Sequence, residues 1–331
     1  MQILDFEAHY YSEAMYEQMC ARTEYPLCEN NTYFRYTDDF YTRVTPELFL
    51  HSDDYVKARL DSMDSCCVNK QILGMSHGLE ELPVNQSIAC AKATNDLIYR
   101  VSQMNPGRFL CFGTFPIGDT AAAVEEMERC KKELSFVGWM TFSNFRSSYI
   151  DEPRYLPLLE AAECLGLPIY IHPCPPSIER LSGLGHTMAG GAMGFTIDTA
   201  ITVSRLIYQG IFDRFPLLQV IMGHLGEGLP YSLDRMDQIS RKQVAVVNTN
   251  KHDPSYYFKH NIWVTTSGVF SNETFTCARD VLGIDRILFG SDYPYEPLGK
   301  AVDFVKELPI SESDRALIMS KNAEKLFALC K

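Results

Sequence analysis

Eight short runs of apolar, β-branched and aromatic residues recur along the chain. They are 2–8 (QILDFEA), 70–76 (KQILGMS), 108–115 (RFLCFGTF), 136–142 (FVGWMTF), 167–172 (LPIYIH), 218–224 (LQVIMGH), 261–267 (NIWVTTS) and 285–292 (DRILFGSD). Most are continuous rather than alternating, the pattern of parallel strands covered on both faces. Between them lie stretches with helical spacing. The stretch 119–134 opens on Asp119-Thr120, 152–166 ends on Gly166, and 271–283 starts on Ser271-Asn272 and ends on Gly283; such residues cap and stop helices. Eight strands alternating with helices predict an α/β fold, a (β/α)8 TIM-like barrel. The rival, an open doubly wound sheet, normally carries a glycine fingerprint after its first strand, and DFEAHYYSE has none. Two insertions interrupt the pattern. Residues 10–55 follow strand one and 173–200 follow strand five. Loops of that length act as lids or binding loops, and 10–55 is read as lid-like. With no repeat, low-complexity tract or linker, residues 1–331 are read as a single domain.

Polar residues concentrate at the ends of these runs. Strand one ends in Glu7-Ala8-His9, strand five in His172, strand six in His224 and strand eight in Asp292. In a barrel these ends share the face that carries chemistry. Residues i and i+2 of a strand point the same way, so Glu7 and His9 can enter one site. With His172 and Asp292 they offer two imidazoles and two carboxylates. That set suits Zn²⁺ or another divalent first-row metal with a position left open. His77 lies at the same end of strand two, where it is either a substrate contact or a loop histidine. His186, in the second insertion, is a further candidate. Arg59 and Arg235 could grip a substrate carboxylate bidentately. The alternative for Arg59 is a surface ion pair with Asp61 or Asp64.

Composition narrows the partners. The net charge of −12 disfavours nucleic acid or an anionic membrane. The opening MQILDFEAHYYSE does not read as a signal peptide, and no apolar window reaches membrane-spanning length. The 11 cysteines form no C-x-x-C pair. A cytoplasmic protein with reduced thiols is expected. Cys66-Cys67 reads either as a redox pair or, preferred, as buried small hydrophobes.

The segments FEAHY, RLDSMD, NPGRFLCFGTFP, DEPRYLPLLEAAECLGLPIYIHP, GIFDRFPLLQVIMGHLGEGLPYSLDRMD and DRILFGSDYPYE, in this order, resemble the decarboxylase branch of the metal-dependent amidohydrolase superfamily. The similarity is to the γ-resorcylate, 2,3-dihydroxybenzoate and 5-carboxyvanillate decarboxylases, with aminocarboxymuconate semialdehyde decarboxylase further off. The resemblance implies one divalent ion, Zn²⁺ or Mn²⁺, held by Glu7, His9, His172 and Asp292. It places His224 near metal and substrate, pairs Glu227 with it, and makes Arg235 a substrate contact. Glu rather than His at the first motif position is similar to the aromatic decarboxylases more than to the hydrolases. The implied reaction is non-oxidative decarboxylation of a small hydroxybenzoate-like acid, with Asp292 as proton donor and His224, oriented by Glu227, assisting. A hydrolase or hydratase acting on a lactone, amide or unsaturated dicarboxylic acid is the alternative. A homodimer or homotetramer is expected, in which Arg235 serves its own site or a neighbour's. The long 10–55 insertion and the segment TFSNFRSS depart from the family's usual pattern.

Overall fold

The computed structural model describes residues 1–38, 40–146, 148–176, 178, 185–242 and 250–330. The side chain of His186 lies outside what it describes, as does part of the 173–200 insertion. All eight expected strands form. They are β1 (Leu4–Tyr10), β2 (Lys70–Met75), β3 (Phe109–Gly113), β4 (Gly138–Phe142), β5 (Ile169–His172), β6 (Val220–Met222), β7 (Ile262–Thr265) and β8 (Ile287–Leu288). Each hydrogen-bonds to the next in chain order, and the pairings are parallel.

β8 is shorter than its apolar run. Beyond Leu288 the chain follows β1 through separate contacts. Phe6 N donates to Phe289 O (2.8 Å), Asp292 N to Glu7 O (3.0 Å) and His9 N to Tyr293 O (2.7 Å). Asp292 has a φ of 63°, which interrupts a regular ladder but still lets the last segment close the TIM-like barrel on the first strand.

One large side chain from each strand packs into a distinct inner cluster: Phe6, Ile72, Phe112, Met140, Tyr170, Ile221, Trp263 and Leu288. Leu326 of the C-terminal helix Asn322–Leu329 packs with them. This plug makes the barrel interior a packed core rather than a pore. The helices bind its outside. Thr120–Lys132 begins where Asp119 accepts from Ala122 N at 3.0 Å, and Asn272–Leu282 begins on the capping hydroxyl of Ser271, as the sequence predicts.

The 10–55 insertion is more regular than its sequence predicts. It holds a helix, Glu13–Ala21, and a three-stranded antiparallel sheet of Leu27–Glu29, Tyr33–Arg35 and Tyr41–Arg43. Three-residue strands are too short to display a period. Aromatic packing holds the module to the barrel. Phe34 is fully buried, with Tyr11 at 4.5 Å and Tyr16 at 6.0 Å between ring centroids. Phe40 meets Phe195 at 5.1 Å, joining the first insertion to the second. The cysteines are free, and Cys66-Cys67 departs from expectation: Cys66 is half-buried and Cys67 exposed. They end the helix Asp53–Ser65, where Cys67 takes a left-handed φ of 60°. No helix among the described residues is long and apolar enough to cross a membrane.

Candidate active site

Glu7, His9, His172 and Asp292 meet at the C-terminal ends of β1, β5 and β8. One ligand atom from each lies within 4.8 Å of all the others. Glu7 and His9 are fully buried; the side chains of His172 and Asp292 are 12 % and 15 % exposed, so these two face the opening. His9 Nε2 stands 3.1 Å from Asp292 Oδ1 and 3.7 Å from Glu7 Oε1. His172 Nε2 stands 3.4 Å from Glu7 Oε1. Glu7 Oε1, His9 Nε2 and Asp292 Oδ1 are nonetheless buried without a hydrogen-bond partner. Buried polar atoms left unpaired are costly. Here they converge on one another, and a divalent cation would satisfy all of them together. The donor set therefore fits a metal.

The surrounding residues aim these atoms. The second oxygen of Glu7, Oε2, accepts from the Tyr170 hydroxyl and from Thr265 Oγ1 (3.0 Å), which leaves Oε1 for the cage. His172 Nδ1 sits 2.7 Å from Pro173 O; as a donor to that carbonyl it keeps the Nε2 lone pair turned inward. Asp5 accepts from Ser291 N (2.9 Å), Ser291 Oγ (2.6 Å) and Glu7 N (3.2 Å), locking β1 to the segment before Asp292. The charges agree with the geometry at three of the four residues. Burial alone would raise the Glu7 carboxyl, but His9 and the nearby imidazoles hold it down at about 2. Asp292 is likewise held well below the usual carboxylate range by His224 and His9 against its burial. Burial and the neighbouring His9 push His172 down to about 3. Burial would lower His9, but Asp292 and Glu7 raise it to about 9; two ionised carboxylates and the neutral His172 are ready for a cation, and His9 gives up a proton to bind one.

His224 enters from the end of β6. Its Nδ1 lies 2.6 Å from Glu227 Oε1 and its Nε2 4.0 Å from Asp292 Oδ2. Burial disfavours the imidazolium, but Glu227 and Asp292 raise the His224 pKa well above its ordinary value. The backbone that brings the pair together is unusual. His224, Leu225, Gly226, Glu227 and Gly228 all have positive φ, from 50° to 87°. A left-handed residue other than glycine costs roughly 1–2 kcal/mol, and three stand here, so the surrounding packing must hold the turn. Gly268 makes room for the ring: a Cβ there would come within 2.7 Å of His224 Cδ2.

These groups open into a cavity of 400 Å³. Its walls include Tyr11, Tyr36 and Phe40 of the first insertion, Phe195 of the second, and His77. The structure thus brings His172, Asp292, His224, Glu227 and His77 to one cavity, while Glu7 and His9 meet His172 and Asp292 from fully buried positions that do not line it. Two expected residues stand apart. Arg59 does not line it. The guanidinium is buried (2 % exposed) and donates to His9 O (2.6 Å), Glu47 O (2.9 Å) and Gln71 Oε1 (3.3 Å). Nor does it make the surface ion pair: Asp61 pairs with Lys57 and Asp64 with Arg108. Arg59 is a structural clamp on the strand end that carries His9. Arg59→Leu should therefore cost about 3 kcal/mol by orphaning those carbonyls, seen as a lowered melting temperature rather than a selectively raised KM. Arg235 is exposed on the helix Leu229–Lys242 and does not line this chain's cavity.

Sequence reasoning missed Tyr170, Thr265 and the wall residues Tyr295 and Phe195. Tyr170 precedes His172 by two in a strand, so the period-two rule that joined Glu7 to His9 would have found it.

Comparison with known proteins agrees with this picture. A family model described as Amidohydrolase matches residues 51–329. A γ-resorcylate decarboxylase of Polaromonas sp. (strain JS666 / ATCC BAA-500) is 36% identical over 304 residues, 86% of this chain and 90% of that protein. The crystal structure of a 5-carboxyvanillate decarboxylase from Sphingomonas paucimobilis superposes with a TM-score of 0.88 at 30% identity, covering 99% of both chains. A dihydroxybenzoic acid decarboxylase from Polaromonas sp. JS666, solved with manganese and the inhibitor 2-nitroresorcinol, gives 0.84 at 29%, covering 100% of this chain and 98% of that one. On the extent of these matches, the chain belongs to the amidohydrolase family, in its decarboxylase branch.

Proposed function

We propose that this protein is a metal-dependent, non-oxidative decarboxylase of a small hydroxybenzoate-like acid. The observation that carries the reading is the placement of the Glu7–His9–His172–Asp292 cluster, with His224–Glu227 beside it, at the base of an aromatic-walled cavity. Glu7, His9, His172 and Asp292 would hold the ion, manganese or zinc. When bound, the ion supplies positive charge that fixes the substrate carboxylate and draws electron density from an adjacent ring hydroxyl.

The protein's own groups would move the proton. Asp292, ionised at rest, accepts the proton of that hydroxyl and then delivers it to the ring carbon bearing the carboxylate. The ring loses aromaticity at that step. The carbon–carbon bond then breaks, its electron pair returns to the ring, and CO₂ leaves. The phenol regains its proton from solvent. His224, held by Glu227, donates to a substrate oxygen and offsets its charge. Tyr36, Phe40 and Phe195 supply the apolar walls that an aromatic ring prefers and limit water. Arg235 has no part in this chain's own cavity; in a homodimer or homotetramer it would act only towards a neighbour.

The test is CO₂ release by the manganese- or zinc-loaded protein from a panel of 2-hydroxybenzoates. Turnover of a lactone, or hydration without CO₂, would assign the hydrolase or hydratase reading instead. Glu227→Gln frees the His224 ring and is expected to lower kcat about 10- to 100-fold. A change confined to KM would remove that orienting role.

A further inference from the structure

His77 stands in the cavity wall, yet its ring makes no hydrogen bond among the described residues. Nδ1 is sealed inside the protein without a partner, so Nε2 is the nitrogen left for a ligand. Aromatic neighbours fix the ring. Phe142 meets it edge-on at 5.1 Å, and Tyr36 lies tilted against it at 5.4 Å, between centroids. Phe142 also meets His172 edge-on at 5.9 Å. One phenyl ring thus touches both His77 and a residue of the cluster, and His77 and His172 line the same cavity.

A row of hydroxyls lies beside His77. The Tyr11 hydroxyl lies within donating distance of His77 O, at 3.1 Å. The Tyr36 hydroxyl is in contact with that of Tyr11, and either can donate; in both cases the Tyr36 hydroxyl keeps a proton or a lone pair for a ligand. Ser76 Oγ and the Tyr295 hydroxyl, 2.9 Å apart, extend the row along the cavity. Burial pushes the His77 imidazole down to about 4, so near neutrality it offers a hydrogen bond and no charge.

We propose that His77 and Tyr36 form a second polar subsite that recognises a neutral hydroxyl on the substrate ring, away from the carboxylate. This deepens the decarboxylase reading and rests on it. A hydroxyl donates and accepts through one atom, which matches an imidazole nitrogen beside a phenol oxygen. A methyl group in that place leaves both protein atoms unpaired. The preferred acids are then dihydroxybenzoates rather than methyl-substituted salicylates.

The experiment compares kcat/KM of the metal-loaded full chain for matched pairs: a 2-hydroxybenzoate with a second ring hydroxyl, and the same acid with methyl in its place. Wild type is expected to prefer the hydroxyl member of at least one pair by about tenfold, the scale of one hydrogen bond. His77→Leu should bring that ratio close to one, and Tyr36→Phe should move it the same way; the second variant decides if the first does not fold. Equal losses for both members of every pair, or no preference in wild type, would overturn the subsite. If wild type releases CO₂ from none of the acids, the decarboxylase reading fails. The subsite is then judged by dissociation constants of the same pairs in wild type and His77→Leu, where an unchanged ratio overturns it.

Discussion

Asp292→Asn is expected to leave the barrel folded and to cut CO₂ release about a thousandfold, the scale of a lost general acid. The side chains are nearly isosteric. Asparagine also tolerates the left-handed backbone that Asp292 adopts at φ 63°. The Asp292 N to Glu7 O bond (3.0 Å) does not involve the side chain, so closure of the barrel survives. What goes is a carboxylate able to take up and return a proton, together with one negative charge facing the ion. Melting temperature and CO₂ release measured on the same sample separate the two effects. Near-wild-type decarboxylation by a folded variant would remove Asp292 from the proton-transfer role.

Chelation of the metal is expected to abolish activity, and Mn²⁺ or Zn²⁺ to restore it. A second readout comes from stability. The cage packs Glu7 Oε1, His9 Nε2 and Asp292 Oδ1 together with no hydrogen-bond partner. An ion that binds only the folded cage stabilises it by mass action, by about 2.7 kcal/mol at a hundredfold excess over its dissociation constant. The melting temperature should therefore rise with metal concentration in wild type. It should rise less when Glu7 is replaced by Gln. Full activity in a sample shown by elemental analysis to hold no metal would end the metal-dependent reading.

The barrel was legible in the sequence because its strands are covered on both faces. LPIYIH, and LQVIMGH after Gln219, stay apolar until the chain reaches the catalytic face, and the histidine that ends each run marks that face. Glu7, His9, His172, His224 and Asp292 could thus be picked out without coordinates. Other features depend on partners distant in sequence. Arg59 has the profile of a surface arginine between Lys57 and Asp61, and only the approach of His9 O and Glu47 O makes it a buried clamp. The roof formed by Phe40 and Phe195 joins two insertions that share no pattern. Around His224 stand Gly223, Gly226 and Gly228, residues that allow a tight turn. That the left-handed run also takes in His224, Leu225 and Glu227 follows from packing, which no local preference would choose.

The seam between the first and last strands carries a further consequence, for synthesis. Asp5 and Ser291 are 286 positions apart, yet their hydrogen bonds align Glu7 with Asp292. A ribosome that has made the first seven strands has made most of the core and only part of the cage. The fourth ligand arrives with the final strand, so a nascent chain cannot hold its ion in the finished geometry until the ring has shut. Long-range pairing of this kind is the slow kind. Capture of the ion can therefore serve as a clock: in refolding from denaturant, its appearance in the site marks the moment the barrel becomes a barrel.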